Sequence, residues 1–360
     1  MSERIKMKDL AEQAGVSVAT VSRVLKNQPG ASAKTRSKVL SLKRKLNYSP
    51  SVSAQELAYW RRGQDRDIGV VRVFTRHMRD YGRGFYVDIN NGLHLLNDFG
   101  YEIIQTQFVR DDLEVCSAHM LHDSIRIDGV VFVGTAPRNA VEHYLERDVP
   151  VVLADLESED PRVPWVVADS TIGLHQLMCY LLDNGHRNIA YVHGALPTYA
   201  SRERFNTFRC SLLDAQCDYR PEWVFHVACS VEGAEQDWLR LFGAHPQFDF
   251  SAVVCENDII ALGLMRACRR TGVSVPEQLS IAGIDDTNAC QYAPIPLTTV
   301  HIPAFEIGQN TAKLLCSLMR RMPTPQGKFS VSTWMIERES CRKLLKSDEF
   351  FNHSPILIKE

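Results

Sequence analysis

An α/β body of two parallel-sheet subdomains, preceded by a small all-α helix-turn-helix headpiece, is the fold class this sequence predicts. Three observations predict it. From Ile68 onward, short β-branched runs alternate with amphipathic segments, the pattern of parallel strands joined by crossover helices. The first 62 residues carry 13 Lys/Arg against 4 Asp/Glu, leaving 28 against 39 for the remainder, so a basic head precedes an acidic body. Within that head, two short helical patterns are joined by a Gly-containing turn. The 360 residues suffice for two or three domains, and 45% hydrophobic with 23% charged residues excludes a largely disordered chain. No run approaches the roughly 18 apolar residues of a membrane span, and the N-terminus lacks the apolar stretch of a secretory signal. Ten cysteines without a Cys-x-x-Cys pair point to reduced thiols in the cytoplasm rather than a disulfide framework or zinc finger.

The head is expected to begin with a helix over 7–14, where Met7, Leu10, Ala11 and Ala14 share one face. Gly15 stops it, and Ser17 caps a second helix running to about Lys26. Val21, Val24 and Leu25 form the apolar face of that helix, which leaves Val18, Ala19, Thr20, Ser22 and Arg23 outward. Ser32 caps a third helix to about Leu46, with Val39, Leu42 and Leu46 inward and a basic outer face. The second helix of such a unit enters the major groove of DNA. Valine and alanine can read only apolar base edges such as the thymine methyl, whereas Arg23 suits a guanine edge or a phosphate.

The run Met7-Lys8-Asp9-Leu10-Ala11-Glu12-Gln13-Ala14-Gly15-Val16-Ser17-Val18-Ala19-Thr20-Val21-Ser22-Arg23-Val24-Leu25 resembles the headpiece signature of the lactose-repressor/galactose-repressor (LacI/GalR) family of bacterial transcriptional regulators. So do Ser32-Ala33-Lys34-Thr35-Arg36 and Leu46-Asn47-Tyr48-Ser49-Pro50; the likeness is dense over 7–58 and looser to about 342. The resemblance implies base reading through Val18 and Ala19, with Ser17, Thr20, Ser22 and Arg23 on phosphates or adjoining base edges. Pro50 ends the third-helix region, and the two-turn segment 51–58 is marginal as an isolated helix. It resembles the family's hinge helix, which implies that Leu57 wedges into the minor groove while Ala54 lies at the contact between two copies. The polar stretch 60–67 reads as a domain boundary.

In the body, strands are expected at 68–73, 103–107, 130–133 and 151–154, with helices at 86–99 and 113–122 between them. A second series follows: helix 170–184, strand 189–192, helix 199–216, strand 252–255, helix 258–271 and strand 280–284. The segment 294–300 resembles the family's strand that returns to the first half, ahead of a helix over 304–321. The resulting organisation is a DNA-binding domain at 1–50, a hinge and linker at 51–67, an effector and dimerisation body at 68–345 and a tail at 346–360. The body divides into an N-subdomain (about 68–168 plus 297–325) and a C-subdomain (169–296 plus 326–345), like that of periplasmic binding proteins. Ligands in open α/β sheets bind beyond the carboxyl ends of the strands, here in a cleft between the halves.

No dinucleotide, Walker, nucleophile-elbow or zinc-protease signature occurs, and the twelve histidines form no ligand-spaced cluster, so neither a catalytic nor a metal site is expected. Four body positions match effector contacts of the family: Asp155 at a strand end, Arg204 in Ser201-Arg202-Glu203-Arg204-Phe205, Asn257 in Glu256-Asn257-Asp258, and Asp285 in Gly283-Ile284-Asp285-Asp286. Asp258 is read as the cap of its helix. An arginine, carboxylates and an amide can hold adjacent hydroxyls, although the same set could also form an internal salt-bridge group. The resemblance thus implies a homodimeric, cytoplasmic repressor of carbohydrate-use genes, binding a near-palindromic operator and a sugar-like effector, with no other cofactor and no membrane partner. A nucleobase or nucleoside effector is the alternative; a solute-binding transport protein is the rival from another class, disfavoured by the head and the missing export signal.

Overall fold

A computed structural model describes residues 7–25, 33–45, 69–76, 83–108, 121, 125–194, 198–243 and 248–344. The chain forms two compact units, Met1–Asp67 and Ile68–Glu360. In the first, α1 (Met7–Ala14), α2 (Val18–Leu25) and α3 (Ala33–Lys45) enclose a core of Ala11, Ala14, Val21, Val24 and Val39, with Val16, Leu40 and Leu42 packed against it. Gly15 ends α1 at φ +65°, where a side chain would be strained. The Gly15 and Val16 amides donate back to Glu12 and Ala11, satisfying carbonyls that the helix end would leave open.

The second unit contains two six-stranded sheets. The first is built from β1 (Gly69–Arg76), β2 (Tyr101–Phe108), β3 (Gly129–Val133), β4 (Val151–Ala154), β5 (Trp165–Asp169) and β11 (Lys328–Ser332), in the order β11-β5-β4-β3-β1-β2 and parallel throughout. The second contains β6 (Ile189–His193), β7 (Val224–His226), β8 (Ala252–Cys255), β9 (Ser280–Asp285), β10 (Thr298–His301) and β12 (Trp334–Ile336), in the order β12-β10-β9-β8-β6-β7. Only β12 among these pairs antiparallel. Helices α4 (Arg83–Leu93), α5 (Leu95–Asp98) and α6 (Arg138–Leu145) connect strands of the first sheet. Helices α7 (Ser170–Asp183), α8 (Tyr199–Asp214), α9 (Val231–Phe242), α10 (Asp258–Thr271) and α11 (Asn288–Tyr292) belong to the second, and α12 (Ala304–Met319) returns to the first.

The two-sheet architecture is the expected one, but its final third departs from expectation. Thr298–His301 does not return to the first half: it lies parallel to β9, pairing Thr298 with Ala282. Pro294 and Pro296 cannot donate to a ladder, so the strand begins only after Leu297 has bonded back to the Cys290 carbonyl. The return is made instead by α12, whose Gly308 meets α4 at Gly92 so closely that a Cβ on either would overlap the opposite backbone. Lys328–Ser332, expected in the C-subdomain, pairs with β5 in the first sheet. One residue later the chain is back in the second sheet as β12, and that residue, Thr333, is 2% exposed. Its hydroxyl donates to the Asp169 carbonyl at 2.6 Å and accepts from Gly173 N at 3.0 Å, tying this crossing to the one between β5 and α7.

The helix expected over 86–99 is broken at His94 into α4 and α5, while β5, α6, β7, α9, β11 and β12 were not anticipated. The helix expected over 113–122 lies outside the described residues apart from Leu121. Each half has its own core: Phe74 stacks on Phe132 in the first, and Trp223, Trp238, Phe225 and Phe250 cluster in the second.

Candidate functional site

In the head, the Ser17 hydroxyl caps α2, accepting from Thr20 N at 3.1 Å and bonding the Thr20 hydroxyl at 2.9 Å. This fixes the rotation of α2. Val21 and Val24 are 0% and 2% exposed, whereas Val18 is 44% exposed. An apolar side chain kept in water beside exposed Ser17 and Arg23 forms a surface suited to thymine methyls flanked by phosphates. Ala19 and Ser22 also lie on α2, but their side chains, like that of Leu25, are outside the described set. The hinge positions Ala54 and Leu57 lie outside the described residues altogether.

In the body, the strand ends bring charge together. Asp155 follows β4, His193 ends β6, Glu256 and Asn257 follow β8, and Asp285 ends β9. Arg204 enters from α8, which Thr198 caps by accepting from Ser201 N. The guanidinium is 9% exposed; Nη1 donates to the Glu256 carbonyl at 2.7 Å and Nη2 to Asp285 Oδ1 at 3.2 Å. Among the described residues its Nε has no partner. Across from it, the Tyr86 hydroxyl donates to Asp155 Oδ2 at 3.2 Å. The two halves also meet where Arg202 pairs with Glu157 at 2.6 Å and where Tyr199 packs edge-on to Trp165.

The backbone is unusual at these points. Asp155, Asp285 and Asp286 have φ of 55°, 126° and 57°. Conformations of this kind cost about 1–3 kcal/mol each and persist where the surroundings over-determine them. Asp286 shows how: it accepts from Arg338 at 2.6 Å and from His301 at 2.8 Å, and His301 stacks on Trp334.

Glu256 is the group that sequence reasoning passed over. Its Oε2 accepts from His193 Nδ1 at 3.0 Å, Gly194 N at 3.1 Å and the Ser201 hydroxyl at 2.8 Å. Burial opposes its ionisation, but these donors and Arg204 outweigh burial and hold its pKa below the usual range. Burial also opposes the charge on Arg204, yet Asp285, Glu256 and Asp155 keep the guanidinium ionised. Three acids share that one cation. Burial therefore pushes Asp155 up to about 6 despite Arg204 and Tyr86, and it raises Asp285 as well despite the ion pair.

Asn257 and Asp258 have exchanged the roles expected of one of them. Asn257 caps α10, its Oδ1 accepting from Ile260 N at 2.9 Å, while its amide nitrogen donates to Cys229 Sγ at 3.3 Å. Asp258 is fully buried and accepts from Thr287 N and the Thr299 hydroxyl instead. The cause is local: Asn257 is the extended residue at the junction, with φ −152° and ψ 170°, which is cap geometry, whereas Asp258 is already helical. Thus Asp155, Arg204 and Asp285 converge on one cluster, together with Tyr86, His193, Ser201 and Glu256, while Asn257 bonds Ile260 N and Cys229 Sγ. Arg204 and Asp285 form an ion pair within it.

Residues 6–51 match the family model for bacterial regulatory proteins of the lacI family, and residues 179–341 match a periplasmic binding protein-like domain. The HTH-type transcriptional repressor PurR of Vibrio parahaemolyticus is 28% identical, over 94% of this chain and 99% of its own length. A probable HTH-type transcriptional repressor, ExuR of Bacillus subtilis, is also 28% identical with the same coverage. Among solved structures, the transcriptional regulator CelR in complex with cellobiose aligns with a TM-score of 0.66 at 24% identity, over 94% of this chain and all of the other. The Lac repressor bound to ONPG aligns with a TM-score of 0.65 at 25% identity and the same coverage.

Proposed function

We propose that the chain is a repressor of the LacI family, binding operator DNA as a dimer under the control of a sugar-like effector and governing genes of carbohydrate use. Its relatives are repressors rather than enzymes, and no catalytic residue or further cofactor is assigned. Among the described residues, no helix is long and apolar enough to cross a membrane. In this reading two copies place Val18 and Ala19 against thymine methyls in the half-sites of a near-palindromic operator. Ser17, Thr20, Ser22 and Arg23 hold the adjoining backbone, and Leu57 with Ala54 provides the minor-groove hinge.

The observation that carries the effector half of the proposal is the buried Arg204–Asp285 pair facing Asp155 from the opposite sheet. A ligand lying between Asp155 and Arg204 touches both halves, so its affinity depends on how they are set, and only such a difference can alter DNA binding. The test is operator binding by the full chain during titration with sugars and with nucleosides, repeated on Arg204→Ala and Asp285→Ala. Wild type is expected to respond to a sugar, and both variants to bind operator without responding. Response to nucleosides alone shifts the reading to the alternative effector class. Variants that respond at wild-type concentrations place the pocket elsewhere.

A further inference from the structure

The open hydrogen-bonding positions of the cluster are unequal in kind. Among the described residues, Asp155 Oδ1, Glu256 Oε1 and Asp285 Oδ2 accept from nothing, while their sister oxygens are engaged by Tyr86, by the His193–Gly194–Ser201 set and by Arg204. The donors on offer are few. Arg204 is the one guanidinium here and spends an N–H of each terminal nitrogen inside the protein, on the Glu256 carbonyl and on Asp285, while Asn257 donates from its amide nitrogen to Cys229 Sγ. A carboxylate or phosphate entering here would face three acids and a single guanidinium that is already paired with one of them. It would lose its hydration against a surplus of negative charge, which is costly for an anion. A polyol brings the complement: each hydroxyl donates one hydrogen to an open carboxylate oxygen and can still accept.

Resting on the effector reading above, we propose that the site selects against anions and takes an uncharged polyol or its amino derivative, with uronic acids and sugar phosphates rejected. Asp155, which approaches from the sheet opposite the Arg204–Asp285 pair, is the specificity-determining residue, because it adds an acid that the guanidinium does not pair. The raised pKa of Asp155 agrees with an excess of acid over base at this point.

The full chain is titrated calorimetrically at pH 8 with matched sets: a neutral aldose, its 2-amino sugar, its uronic acid and its phosphate ester, for pentoses, hexoses and disaccharides. In every set that binds, the neutral or amino member is expected to bind at least tenfold tighter than the acidic ones. A uronate or phosphate binding as tightly as its neutral parent overturns the proposal. A second arm needs no ligand. Asp155→Asn keeps the oxygen that accepts from Tyr86 but removes the unpaired charge, so it is expected to raise the unfolding temperature at pH 8 and to have little effect at pH 4. A lower unfolding temperature at pH 8 overturns the acid surplus and the proposal with it. If no sugar binds but the Asp155→Asn shift appears, the sugar reading fails and the charge preference stands; the same comparison then runs on nucleosides against nucleotides, and a nucleotide preference overturns it.

Discussion

In the head, the residue proposed to meet a partner is an exposed valine; in the body, it is a buried arginine. Val18 is apolar and in water, whereas Arg204 is charged and shielded from it. The inversion follows from the partners. DNA brings a dense polyanion whose attraction needs no enclosure, so an uncharged side chain can be left to discriminate at thymine methyls. A small solute brings few atoms, and only a charge held in place and partly desolvated can distinguish among them. The two regions also differ in how they are held together. Among the described residues, five buried side chains form the head's core, whereas each half of the body has a core of a dozen or more.

The largest effect that would test this contrast comes from Arg204→Met. It leaves Asp155, Glu256 and Asp285 buried without a cation, and breaking such a group from one side costs about 3–5 kcal/mol. Urea unfolding followed by tryptophan fluorescence should show that loss, and a cost under about 1 kcal/mol would mean the arginine anchors nothing.

Acid should act next, and on the body. His186 is fully buried, hydrogen-bonded to Ser251 and to the Arg342 carbonyl, and burial brings its pKa down to about 4. The unfolded ring takes its proton near pH 6.5. The stability owed to this group is therefore complete above pH 6.5 and is lost as the pH falls from there toward 4, by roughly 3 kcal/mol at most. His186→Gln is expected to flatten that part of the stability profile; an unchanged slope between pH 6.5 and 4 would show that the ring is not the responsible group.

Val21→Ala moves the test to the head. Removing two methyl groups from so small a domain's core costs roughly 2 kcal/mol, enough to abolish operator binding while leaving effector binding at its wild-type enthalpy. If both functions fall together, the two units do not fold independently. The smallest effect is the most specific. Val18→Ser should weaken operator binding by roughly 1 kcal/mol, the low end of the scale for one mismatched base pair, with nonspecific binding and its salt dependence unchanged. Equal losses on operator and random DNA would remove Val18 from base reading.

The same contrast marks what the sequence made legible. Gly15, Ser17 and Val21 act within a few residues of themselves, so their roles could be read directly. The outward position of Val18 followed from the helical period. Asp155, Arg204 and Asp285 were legible through family resemblance, and they meet. What escaped depends on distant partners: Thr298–His301 looks like a strand from either sheet, and its pairing with β9 is fixed by the chain around it. Lys328–Ser332 alternates polar and apolar residues as an edge strand does, but five residues of alternation do not say which sheet they join. In Glu256-Asn257-Asp258 three polar residues follow a strand, and composition does not say which one leaves the ladder last. The backbone settled it, assigning the cap to Asn257 and freeing Glu256 to face His193 and Ser201.

Thr333, the single buried residue between β11 and β12, has a genetic consequence. Because the last two strands are shared out, one to each sheet, no contiguous stretch of the gene encodes either half of the body. A stop codon after Gly327 strips an edge strand from both sheets together, and it also removes the hydroxyl that ties the β5–α7 crossing. Frameshifts just upstream of Lys328 thus fall on both halves at once, and recombination cannot exchange one half for that of a relative at a single breakpoint. The body is inherited whole.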